Sequence, residues 1–196
     1  MAAGIEPHMM LAEVLGVALQ VGERLDRLGV TWVIGGSFAS SVLGVPRSTQ
    51  DVDFVAALEK SHVAALVAAF EADHYLSEEA VRSAVLRRAS FNVIHLDTMT
   101  KIDVFVPKGD DLSQRQLTRR RTVEVAPGRP LSVLSPEDVV LQKLRGFRAG
   151  GEVAEQQLRD VRGVLATSGP AIDFEDLEAA ARLAGLDDLL ARVRTR

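Results

Sequence analysis

Cysteine is absent from this 196-residue chain. Its absence excludes a disulfide framework, a thiolate zinc centre and a cysteine nucleophile. The chain also has no secretory h-region and no run of about 18 apolar residues. The expectation is therefore a cytoplasmic protein that is neither exported nor membrane-spanning. Basic charge is not in excess. Lys and Arg total 23 against 27 Asp and Glu, a formal net charge of −4, which argues against a general nucleic-acid coat protein. Neither H-E-x-x-H nor H-x-x-x-H occurs, against a zinc hydrolase, and G-x-S-x-G is missing, against a serine hydrolase. The Walker pattern G-x-x-x-x-G-K-[ST] is missing too. No fixed-period repeat or low-complexity stretch interrupts the chain. What remains is 47% hydrophobic and 26% charged, the composition of an ordinary globular protein with a real core.

Met1 to His8 reads as a loose leader. From Met9 to Leu28, apolar residues including Leu11, Val14, Ala18, Val21 and Leu25 recur at helical spacing, closed by Gly29. Val30 to Ile34 reads as a buried strand, and Phe38 to Leu43 as a short helix beyond the Gly35-Gly36-Ser37 break. Gly44 to Gln50 reads as a loop. Asp51 to Val55 alternates as a strand does. A helix is predicted from about Lys60 to Asp73, and another opens at Ser77 and runs to about Arg88. Phe91 to Leu96 and Lys101 to Val106 form a candidate antiparallel hairpin. Thr122 to Val125 and Leu131 to Leu134 form a second pair. Ser135-Pro136-Glu137-Asp138 is a helix start, with serine as N-cap and proline at the first helical position. Beyond it everything reads helical, with breaks near Gly150, Ser168 and Gly185. The chain thus divides into an α+β part, 1–134, and a C-terminal helical region, 135–196, expected to pack on that core.

Asp51 and Asp53 stand at i and i+2 on one predicted strand, so both side chains point to one face. Two like charges on a half-buried face are in conflict unless a cation lies between them. A magnesium ion, which takes carboxylate and phosphate oxygens, resolves that conflict. Asp103, inside the apolar run Ile102 to Val106, completes a three-carboxylate set if its strand lies beside the first. Such a set suits two metal ions and in-line phosphoryl or nucleotidyl transfer. Upstream, Gly35, Gly36 and Ser37 lie between a strand and a helix, where glycine lets a ligand approach the backbone and a helix N-terminus favours phosphate. Of the histidines, His8 falls in the leader and His62 and His74 read as helix-surface residues. His95 falls on a strand near Asp103 and is a candidate to face it. Arg115, Arg119, Arg120 and Arg121 make a basic segment. It is either a solvated edge or a patch that steers an NTP or polynucleotide. Aromatics are scarce there, so base stacking has little support.

The combination Gly36-Ser37, thirteen intervening residues, then Asp51-Val52-Asp53 resembles the nucleotidyltransferase superfamily with the polymerase-β-like fold. The resemblance covers Val30 to Val106. It implies an α+β fold with a small mixed sheet, flanking helices and a C-terminal helical part. It implies that Asp51, Asp53 and Asp103 are catalytic metal ligands for Mg2+, two ions, with Mn2+ as a substitute. Gly35, Gly36 and Ser37 would bind the triphosphate of an NTP donor such as ATP. Further along, Ser135-Pro136-Glu137-Asp138, Lys143 and Arg159-Asp160 are similar to the helical part of AbiEii-like toxin nucleotidyltransferases. That implies Lys143 as a nucleotide contact and Asp160 as a group that orients a base or the acceptor. Arg47 and His95 are further auxiliary candidates. The toxin-like resemblance implies tRNA or a protein hydroxyl as acceptor and a cognate antitoxin as partner. Trp32 to Asp53 also looks like the aminoglycoside nucleotidyltransferases, which implies a small-molecule acceptor. A non-catalytic nucleotide- or partner-binding module on the same fold is the remaining alternative.

Overall fold

The computed structural model describes residues 7–47, 49 and 51–194. The expected leader lies outside the described residues except for Pro7 and His8, which open α1 (Pro7–Arg27). The chain forms two compact units: Met1–Ile34 with Ser48–Val133, and Gly35–Arg47 with Leu134–Arg196. The Gly35–Arg47 segment groups with the C-terminal helices and not with the sheet.

The first unit holds a seven-stranded mixed sheet. Its strands are β1 (Trp32–Ile34), β2 (Asp51–Ala56), β3 (His74–Tyr75), β4 (Ser90–His95), β5 (Lys101–Phe105), β6 (Arg121–Ala126) and β7 (Arg129–Val133). They lie in the order β3-β4-β5-β2-β1-β7-β6. β4 and β5 form the expected antiparallel hairpin, as do β6 and β7. β2 runs parallel to β5 with Asp51 beside Lys101 and Asp53 beside Asp103. Period-2 alternation sorts these strands into two faces. Val52, Phe54, Phe91, Val93, Ile102 and Val104 are buried on one. Val21 and Leu25 of α1, with Leu66 and Phe70 of α3 (Val63–Phe70), surround Phe91, Val93 and Val104 on that face. Each such side chain contributes roughly 1.5–3 kcal/mol through burial. α4 (Glu78–Arg87) is capped by Ser77, whose hydroxyl accepts from the Ala80 N–H at 3.2 Å.

Two elements escape the apolar pattern. β3 has only two residues, and α5 (Asp111–Thr118) lies inside the basic segment, opened by Asp110, which accepts from the Ser113 N–H. The arginines are therefore spread over α5 (Arg115), the connection after it (Arg119 and Arg120) and the edge strand β6 (Arg121), and Arg120 donates to the Leu117 carbonyl.

The second unit is helical. It comprises α2 (Gly36–Leu43), α6 (Pro136–Ala149), α7 (Glu155–Ser168), α8 (Phe174–Leu183) and α9 (Asp187–Arg194). Ser135 caps α6 as its sequence predicts, accepting from the Asp138 N–H at 3.2 Å. Leu141, Leu144, Leu158, Val161, Val164 and Leu177 are fully buried and form its core. No helix of the described residues is long and apolar enough to cross a membrane.

His74 is buried on β3, not on a helix surface. Its ring packs edge-on against His95 at 4.9 Å and against Phe70 at 5.1 Å. Its Nδ1 lies 2.7 Å from Asp73 and 2.9 Å from Arg24, while Nε2 is buried without a partner. Burial lowers the pKa of His74 below 6.5 and outweighs the raising effect of Asp73. The unfolded chain therefore binds the proton more readily, and stability is lost as pH falls through about 6.5. Asp73, held below the usual carboxylate range mainly by Arg24, loses its contribution only in stronger acid. We expect the melting temperature to fall between about pH 7.5 and pH 5, and His74→Asn to flatten that slope. An unchanged slope in the variant would contradict this assignment.

Candidate active site

The side chains of Asp51, Asp53, Lys101, Asp103 and Asn92 occupy the face of the sheet opposite the apolar core. Register alone places them there: Asp53, Asp103 and Asn92 are successive neighbours on β2, β5 and β4. Adjacent strands lie about 4.8 Å apart, so Asp53 and Asp103 are near neighbours and Asp51 lies two residues along the same face. Asp51 is exposed, and Asp53 and Asp103 are half-buried. Asp103 accepts from the Lys101 ammonium at 2.9 Å and from the Asn92 amide. That hydrogen bond, with the fields of Asp103, Asp51 and Asp53, raises the Lys101 pKa above the ordinary lysine value. Among the described residues no three Asp, Glu, His or Cys side chains close into a metal-holding group as they stand. The donor chemistry nonetheless fits magnesium or manganese, since three hard carboxylates crowd one partly open face with a single lysine among them.

His95 does not join them. It lies three residues from Asn92 on β4, an odd offset, so its ring points to the apolar face. There it is buried against His74, with Nδ1 2.9 Å from the Thr98 hydroxyl.

The second cluster belongs to the helical unit. Gly36 has φ +59°, a left-handed conformation that favours glycine. A Cβ on Gly35 would lie 2.9 Å from the Gln142 amide, so alanine there requires that side chain to shift. The helix starts at Gly36, so Ser37 lies inside its first turn and is not the cap. The Ser37 hydroxyl accepts from Arg47 Nη2 at 2.5 Å and from Lys143 Nζ at 3.4 Å. Gln142 Oε1 accepts from the Gly36 N–H at 2.7 Å. Behind these groups stands Asp160 on α7. It accepts from Lys143 at 2.8 Å, from Arg47 Nε and Nη2 at 3.1 Å each, and from Gln156 at 2.7 Å. Burial pushes the Asp160 pKa up, but the hydrogen bonds from Arg47, Lys143 and Gln156 outweigh it and leave the carboxyl below its ordinary value. The side chains of Lys143 and Asp160 are only 4% and 5% exposed. Asp160 is therefore a buried carboxylate that holds the Arg47 and Lys143 cations beside Ser37. Two cations, one anion and a helix N-terminus leave net positive charge at Ser37, the chemistry of an anion site.

Sequence reasoning finds the three aspartates, the glycine–serine turn, Lys143 and Asp160, and misses Lys101, Asn92, Gln142 and Gln156. Lys101 was open to detection, because it stands at i−2 from Asp103 on the same strand. Gln142 and Gln156 carry no comparable signal, since their roles arise from helix packing.

The fold is that of the nucleotidyltransferases. Over 93% of each chain, it is similar to an antigenic nucleotidyltransferase-like protein from Paracoccidioides brasiliensis, with a TM-score of 0.57 and 17% identity. It is also similar to ANT(2'')-Ia in complex with adenylyl-2''-tobramycin, with a TM-score of 0.57 and 17% identity over 87% of this chain and 97% of that one. No protein-family model matches the sequence, and no curated protein matches it.

Removing Asp160 strands a buried ammonium, whereas removing Lys143 leaves Asp160 held by Arg47 and Gln156. We expect Asp160→Ala to cost about 3–5 kcal/mol in urea unfolding and Lys143→Met about 1–2 kcal/mol. Equal losses would contradict the positioning role.

Proposed function

We propose that the protein is a metal-dependent nucleotidyltransferase that moves a nucleoside monophosphate from an NTP, ATP being the donor first tested, to an acceptor hydroxyl. The observation that carries this reading is the register of β2 and β5, which puts Asp53 beside Asp103 and Asp51 on the same face. Asp51, Asp53 and Asp103 would hold Mg2+ or Mn2+, two ions fitting three carboxylates. When bound, such ions supply charge neutralisation to the triphosphate. Asp103 takes the proton of the acceptor hydroxyl onto a carboxylate oxygen as that hydroxyl oxygen attacks the α-phosphorus. The bond between the α- and β-phosphates breaks, and pyrophosphate leaves. The helical unit, taken by itself, has an anion site at the Gly35–Ser37 turn, where the Arg47 and Lys143 cations are suited to phosphate oxygens. Catalysis of this kind is positioning and charge stabilisation, so no covalent nucleophile is needed.

The likeness to ANT(2'')-Ia supports a small-molecule hydroxyl as acceptor. The net positive segment around Arg119 to Arg121 supports the second reading, transfer to tRNA or a protein within a toxin–antitoxin pair in the cytoplasm. Incubation with each α-labelled NTP and Mg2+, against pools of aminoglycoside, tRNA and protein, decides donor and acceptor together. We expect Asp51→Asn, Asp53→Asn and Asp103→Asn each to lower the labelling rate by about 100-fold or more. Undiminished labelling in all three would overturn the reading. No labelling by the unaltered protein, with undiminished Mg2+-dependent NTP binding, would favour a binding module on the same fold.

A further inference from the structure

The four side chains at the centre of the acidic face form a square on two parallel strands. Asp51 stands beside Lys101, and Asp53 stands beside Asp103. Three corners are carboxylates and the fourth is an ammonium. We propose that Lys101 is a tethered counter-ion of this face, competing with divalent cations for Asp103 and swinging out to solvent when one binds. The proposal rests on the reading that these carboxylates hold metal.

Both oxygens of Asp103 are engaged in the chain as described, Oδ2 by Lys101 at 2.9 Å and Oδ1 by Asn92. A dication drawn to the carboxylates needs an oxygen of Asp103 and is repelled by the ammonium beside it. Removal of Lys101 from the square answers both needs. The Lys101 side chain is 46% exposed while that of Asp103 is 18% exposed. The lysine can therefore leave along its flexible stem while the aspartate stays fixed in the strand. Without a dication, the same lysine relieves repulsion among three neighbouring carboxylates. One residue thus stabilises the metal-free face and weakens metal binding.

The test uses Mn2+ alone as probe, with free Mn2+ followed by electron paramagnetic resonance and unfolding followed by heat. Lys101→Met is expected to bind Mn2+ roughly three- to tenfold more tightly than the unaltered protein, since a surface pair and a direct repulsion are both removed. It should also melt at lower temperature in chelator and gain more on adding Mn2+. Lys101→Arg, which keeps the charge, should resemble the unaltered protein. Equal or weaker Mn2+ binding by Lys101→Met, while the unaltered protein binds and Asp51→Asn/Asp53→Asn does not, overturns the role of Lys101 and leaves the metal reading standing. Absence of Mn2+ binding in every form overturns both.

Discussion

Like charges on one sheet face are the constraint on which the rest of this structure depends. β2 and β5 run the same way, and their register sets Asp53 against Asp103 with Asp51 two residues away. At about 5 Å, two such charges repel by about 1 kcal/mol in water and about 3 kcal/mol at the effective dielectric of a protein surface. A sheet built for stability alone would not put three there. The opposite face carries the cost, with Phe54 and Ile102 fully buried and Phe91, Val93 and Val104 packed against α1 and α3. The period of two makes this division: Asp51 to Phe54 and Lys101 to Val104 give alternate side chains to the charged face and to the core.

The helical unit solves the inverse problem. It buries one carboxylate, Asp160, and surrounds it with Lys143, Arg47 and Gln156. A buried carboxylate so paired is not itself a reactive group. Its effect is to fix two long cationic side chains onto Ser37, in the first turn of α2. A flexible lysine would lose its ordering entropy on meeting an anion, and here that entropy is already lost in the fold.

Much of this was legible in the sequence. Alternation marked β2, β4 and β5, and Ser135-Pro136 marked the start of α6, because local chemistry determines those elements. The aspartates were legible for the same reason, since spacing on a strand fixes a face. The face of His95 was legible as well: in an antiparallel hairpin closed after Leu96, parity alone separates it from Asp103, and proximity in sequence misleads. β3 and α5 were not legible. β3 offers two residues and no pattern, and α5 buries only Leu117 among its apolar residues, so its stability comes from the Asp110 cap and its surroundings. The membership of Gly35–Arg47 in the helical unit depends on contacts distant in sequence, such as Arg47 to Asp160 and Gly36 to Gln142. No periodicity encodes those pairs.

The central claim is that register turns three separate aspartates into one divalent-ion site. Anomalous diffraction from crystals grown with Mn2+ and a non-hydrolysable NTP tests it most directly. The account predicts manganese in contact with Asp51, Asp53 and Asp103, with the Lys101 side chain turned away. Manganese bound at His74 and His95, or elsewhere with Asp103 still joined to Lys101, would contradict it.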